Sequence, residues 1–137
     1  MSTTPPVPEI FEARTMSFSL TVKDLQKSLA WYHEVIGFGI VRNIERDGKL
    51  RGISLKAGEV RLAINQDDGA KGWDRIKGQG FSISITTDQN IDEIAKRIKE
   101  KGGRLTMEPT DMSWGVRSIR MEDPDGYKMA ISKPING

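Results

Sequence analysis

Trp114, Arg117 and Tyr127 are the residues of this chain whose types combine into a recognisable chemistry. Two aromatic faces and one guanidinium would hold a planar, anionic small molecule. Trp114-Gly115 can equally be a structural corner, and both readings stay open. Catalytic groups are scarce. His33 is the only histidine, and the helical pattern around it turns it about 100° from Tyr32. That places it at the surface or in a local hydrogen bond, not on a metal. The absence of cysteine removes disulfides, thiolate metal sites and thiol nucleophiles. Asp67-Asp68, Glu122-Asp123 and Asp125 supply carboxylates, but their places at turns and strand ends suit solvated caps better than a paired acid and base. The chain has no Gly-x-Ser-x-Gly elbow, no phosphate-binding glycine loop and no His-Glu-x-x-His.

The element that positions the rest is 16–38. Phe18, Leu20 and Val22 alternate with Ser17, Ser19 and Thr21, the period of a half-buried strand. Asp24 then caps a helix whose Leu25, Leu29, Tyr32 and Ile36 share one face, and Gly37 ends it. Residues 38–46 and 49–57 are extended around an Asp47-Gly48 hairpin signal, and Val60, Leu62 and Ile64 alternate as a further strand. The first module is thus β-α-β-β-β over 16–66.

The order repeats. A strand is expected at 80–87, a helix at 90–101 ending on Gly102-Gly103, a strand at 104–108, and a loop carrying Pro109 and Asp111. Strands follow at 116–121 and 127–132, around a type I turn at Asp123-Pro124-Asp125-Gly126. An internal repeat of half the chain makes 80–133 a second copy. The linker 67–79 is rich in Gly and charge, and its Trp73 is expected to fold back over the loop's own base. Residues 1–15, with Pro5, Pro6 and Pro8, read as a flexible arm that Ile10 and Phe11 could anchor on another subunit. Ser17, Ser19, Ser82, Ser84, Thr86 and Ser118 give the strands a face of small hydroxyls, which could line a hydrated cleft or simply face solvent.

At 36% hydrophobic and 29% charged, the 137 residues suit one globular domain with two sub-domains sharing a core. No stretch approaches the ~18 consecutive apolar residues of a membrane span, and 1–15 lack a signal-peptide profile, so a cytoplasmic protein is expected. The net charge of +2 covers interspersed Lys, Arg, Asp and Glu, and nucleic-acid binding is not expected.

VKDLQKSLAWYHEVIGF, the helix ending in KEKGG, and WGVRSIRMEDPDGYKMAI, in this order, resemble the vicinal oxygen chelate superfamily, the glyoxalase I, bleomycin-resistance and extradiol-dioxygenase group. The match covers 16–133. The resemblance implies an α+β fold of two βαβββ modules whose curved sheets surround an open cleft, and a homodimer. In metal-dependent members, side chains on the first and fourth strands of each module hold one divalent ion. Carried over, those positions fall on Ser17, near Leu62, within Gly80, Phe81 and Ser82, and on Ala130, and none of these is a ligand type for a divalent ion.

The expected function is therefore that of a metal-free relative without a cofactor, binding a small organic molecule in its cleft, in resistance or sequestration. Ser17, Leu62, Trp114, Arg117, Tyr127 and Ala130 are the cleft candidates. The alternatives are a lyase, isomerase or dioxygenase relative with a divergent metal site that uses Glu59 or Glu122, and a dimeric interaction unit with a vestigial cleft.

Overall fold

The computed structural model describes residues 5–135. The first module comprises β1 (Ser17–Val22), α1 (Leu25–Leu29) with its π-helical continuation (Ala30–Ile36), β2 (Gly39–Arg46), β3 (Lys49–Ala57) and β4 (Val60–Gln66). The second comprises β5 (Ile83–Thr86), α2 (Ile91–Glu100), β6 (Met107–Asp111), β7 (Val116–Glu122) and β8 (Lys128–Pro134). Each module makes its own four-stranded sheet, in the orders β1-β4-β3-β2 and β5-β8-β7-β6. The outer pairs β1–β4 and β5–β8 are parallel and the rest antiparallel. The two sheets are the repeat read from the sequence, and they remain open. No helix among the described residues is long and apolar enough to cross a membrane.

Alternation decides which face of each sheet is covered. Leu20, Val22, Ile53, Leu55, Leu62 and Ile64 pack with Leu25 and Tyr32, while Ile83, Ile119, Met121, Met129 and Ile131 pack with Ile91, Ala95 and Ile98. The opposite parity of β1, β3, β4, β5, β7 and β8 faces away from this packing, although Gly52 and Ser118 on that side are themselves buried, and β2 is exposed along nearly its whole length.

Local chemistry explains the elements. The Asp24 side chain accepts from the Lys27 N–H and that of Asn90 from the Glu93 N–H, two N-caps. Asp47 and Gly48 both have positive φ, 55° and 74°, as the tight β2–β3 turn requires. The period of the first helix predicts a uniform α-helix, yet its second part is wound wider. Gly37, at φ 108°, and Phe38 both donate to the Tyr32 carbonyl, at 3.1 and 2.9 Å. The wider winding carries the chain out of the helix while Tyr32 stays buried.

Two strands begin later than expected. β5 is regular only from Ile83. The expected strand at 104–108 is displaced to Met107–Asp111, because 104–106 are spent crossing from the helix end at Gly103. Pro109 accordingly lies inside β6, which is tolerated on an edge strand and coincides with a register shift between Met107 and Thr110.

The modules meet on their helix sides. Arg97 of α2 donates to the carbonyls of Val35 and Ile36. A Cβ on Gly103 would come within 2.5 Å of Val35 Cγ1 and 2.6 Å of Ile98 Cγ2, so the close approach there requires glycine.

Candidate functional site

On the open face of the first sheet, Ser17, Ser19 and Thr21 lie opposite Arg61, Ala63 and Asn65. Gly52, Ser54 and Lys56 of β3 continue this face. A Cβ on Gly52 would meet both Asn65 Oδ1 and Ile44 Cδ1, which confirms that β2, β3 and β4 share it. On the second sheet Ala130 stands between Ser84 of β5 and Arg120 of β7, with Ser132 beside Thr86 and Ser118. Ser17 and Ser19 therefore share a face of the first sheet, and Ser84, Thr86 and Ser118 a face of the second, while Ser82 precedes β5.

Of the six cleft candidates, Ser17 and Ala130 are on open faces. Leu62 is not: it is 4% exposed and belongs to the core. Its parity matches Val60 and Ile64, so the residue beside Ser17 is Arg61. Arg117 is corrected for the same reason. It shares its parity with buried Ile119 and Met121 and turns to α2, where Nε and Nη2 donate to Asp92 Oδ2 and Oδ1 at 2.8 and 2.9 Å. Nη1 donates to Asp111 at 2.9 Å. These bonds hold the Asp92 carboxyl below its usual range and push the guanidinium still higher.

Tyr127 is a joint between modules: it is 7% exposed, and its hydroxyl donates to the Thr21 carbonyl at 2.8 Å. Trp114 is 65% exposed, in a turn closed by Gly115 N–H to the Met112 carbonyl. Trp114, Arg117 and Tyr127 thus form no cluster. In the third metal-type position, Gly80, Phe81 and Ser82 precede β5, and the residue opposite Ala130 is Ser84. His33 is exposed, with Nδ1 2.6 Å from the Phe38 carbonyl oxygen, as read from the helix.

Of the carboxylates read as solvated caps, Asp68 and Glu122 are exposed and Asp68 accepts from the Ala70 N–H, whereas Asp67, Asp123 and Asp125 are corrected. Asp67 and Asp123 are 3% and 5% exposed. Lys77 from the linker, its side chain 4% exposed, reaches Asp67 Oδ2 at 3.2 Å and Asp125 Oδ2 at 3.7 Å. Arg75 adds a bond to Asp67, and Lys23 N–H donates to Asp125 at 2.8 Å. Asp67 is held below its usual range, first by the Gly69 N–H and then by Lys77 and Arg75, against its burial. Asp123 accepts from the Tyr32 hydroxyl at 2.7 Å and from the Asp125 and Tyr127 N–H groups. Burial pushes its carboxyl up against those bonds, and burial also pushes the Tyr32 phenol up. This network fastens linker and modules together. It is built from positions distant in sequence, so no local pattern signals it.

Two grooves also flank the joint. One, of about 700 Å³, is lined by Lys23, Lys27, Trp73, Arg75, Lys77 and Asp125 among others. Trp73 there lies over Gly69, whose Cβ would come 2.7 Å from the ring, as the loop reading expects. The other, of about 930 Å³, runs between the β3–β4 turn and the β5–α2 connection. None of the six cleft candidates lines either groove.

Among the described residues, no group of His, Cys, Asp or Glu is arranged to hold a metal ion. The positions drawn from the family resemblance, with Arg61 in place of buried Leu62, carry the hydroxyls of Ser17 and of Ser82 or Ser84, the Arg61 guanidinium and the Ala130 methyl. A guanidinium repels a cation and a methyl has no lone pair, so these residues do not fit a divalent ion.

The Lactoylglutathione lyase of Salmonella typhimurium is 30% identical over 124 residues, 86% of this chain and 90% of that protein. A solved member of the glyoxalase/bleomycin resistance protein/dioxygenase superfamily from Sphaerobacter thermophilus is 27% identical, with a TM-score of 0.71 over 89% of this chain and 98% of that one. The same fold is found in TnmS3, described as an antibiotic binding protein, from Streptomyces sp. CB03234, at 21% identity and a TM-score of 0.71 over 92% and 99% of the two chains. The model of the Glyoxalase/Bleomycin resistance protein/Dioxygenase superfamily matches residues 14–131, and with both modules, their order and their open sheets in place, the chain belongs to that superfamily.

Proposed function

We propose that this protein is a metal-free binding member of its superfamily, a homodimer that holds a small organic molecule over its open sheet faces in resistance or sequestration. The observation that carries this reading is the pairing of Ser17 with Arg61 and of Ser84 with Ala130 on the open faces, where the family resemblance places the metal ligands of other members. It removes the ion and leaves a wide floor of short side chains. TnmS3, a protein of the same fold, is described as binding an antibiotic, which supports the choice of ligand class. β1 and β5 each end a sheet, and among the described residues no strand of one sheet pairs with a strand of the other. A second copy would cover the open faces, and the exposed Val7, Ile10 and Phe11 of the arm suit an anchor on it.

An enzyme with a divergent metal site is favoured by the identity to the lyase of Salmonella typhimurium. It would need carboxylates that the open faces do not bring together. Native mass spectrometry of untagged protein separates the two. A dimer mass without metal, carrying an organic adduct, is the expected result; stoichiometric divalent metal would overturn the proposal.

A further inference from the structure

Arg61 is not alone on its face. Lys56 is its register partner across β3 and β4, and Arg42 on β2 lies opposite Ser54. All three are exposed, and none takes part in an ion pair among the described residues. Like charges directly opposite in an antiparallel pair repel, so Lys56 beside Arg61 is unfavourable until an anion joins them. The acidic side chains of this module lie elsewhere: Glu45 is opposite Leu50 at the hairpin end, and Glu59 lines the groove that contains Arg97. The second sheet points the same way. Arg120 stands opposite Ala130, while Glu122 and Lys128 are opposite each other, so that face adds one further cation with no ion pair among the described residues. The near-neutral composition thus conceals a segregated positive surface, and short residues such as Ser17, Ser54 and Ala63 leave room above it.

Resting on the binding-protein reading above, we propose that the ligand is a small organic anion whose acid group is held by Arg61 together with Lys56 and Arg42. A guanidinium offers parallel N–H groups to both oxygens of a carboxylate. A face carrying one sign of charge also concentrates anions before contact.

The test is a titration of the full chain with a matched set, 2-naphthoate, 2-naphthamide and 2-naphthamidine, followed by NMR shifts of backbone amides. The carboxylate is expected to bind at least tenfold more tightly than the neutral amide, with shifts in β1, β3 and β4, and the amidine most weakly. Arg61→Gln should reduce the carboxylate's advantage by roughly ten-fold, the scale of a charge-assisted bond, without altering amide binding. Lys96→Gln, on the exposed side of α2, should leave it intact. Equal binding of carboxylate and amide would overturn the anion assignment while leaving the binding-protein reading standing. Failure of all three to bind would overturn both.

Discussion

Arg61 lies directly opposite Ser17 in the parallel pairing of β1 with β4. Both sit on the open face, where the family resemblance places two of the four ligand positions of metal-dependent members. The wild-type protein should therefore show no thermal response to divalent ions. A site with Kd near ~1 μM would add about 2.7 kcal/mol at ~100 μM free metal, a rise of several degrees in Tm. With Zn²⁺ or Ni²⁺ the expected rise is under about 1 °C, and EDTA should leave Tm unchanged. A metal-induced rise of several degrees would mean that the open faces do hold a divalent ion.

Arg117 is expected to serve structure and not the ligand. Its guanidinium forks onto Asp92 and reaches Asp111, tying β7 to α2. Arg117→Lys keeps the charge but loses the two-pronged geometry, so Tm should fall by a few degrees with ligand affinity unchanged. A selective loss of affinity at constant Tm would restore Arg117 to the binding face.

Much of this was legible in advance. The period-two strands, the Asp24 and Asn90 caps and the Asp47-Gly48 turn identify both modules, because each rests on local backbone chemistry. Leu62 and Arg117 were legible too. Val60-Leu62-Ile64 and Arg117-Ile119-Met121 each share one parity, which assigns Leu62 and Arg117 to the helix side and leaves Arg61 to the open face. Matching family positions without applying that parity displaced the site by one residue. The Lys77, Asp67 and Asp125 contacts were not legible, since they join the linker to the ends of strands from both modules and exist only after those modules dock.

Those contacts make Lys77 a sensitive position. Removing one partner of a buried ion pair is costly because the other charge stays in a poor solvent for it. Lys77→Met should lower Tm by roughly 10 °C, against about 1 °C for Lys71→Met on the exposed part of the same linker. Similar melting temperatures for the two variants would mean that the linker does not fasten the modules.

Gly103→Ala probes the helix-side contact. The added methyl would overlap Val35 and Ile98, and overpacking of this kind costs about 1–3 kcal/mol. Pairing it with Val35→Ala should recover part of that loss. A neutral Gly103→Ala in urea denaturation would show that the modules separate there easily.

Asp123 gives the pH dependence its sign. Burial raises its carboxyl above the usual range, so between the unfolded and folded values the native state holds more protons than the unfolded chain. Stability from this group therefore falls as pH rises through that window, and the penalty is fully in place above it. Asp92 and Asp67 act oppositely: their lowered values give stability that is present above the unfolded carboxylate range and lost on acidification. Asp123→Asn retains an acceptor for the Asp125 and Tyr127 N–H groups and an amide beside the Tyr32 hydroxyl, while removing the titration. Urea midpoints measured between pH 4 and pH 7 should accordingly rise more steeply with pH in Asp123→Asn than in the wild type. Tyr32→Phe, which removes a donor to the carboxylate, should cost about 1–3 kcal/mol and show the loss most fully near neutral pH. Parallel pH profiles for the wild type and Asp123→Asn would mean that the buried carboxyl titrates as it does in the unfolded chain.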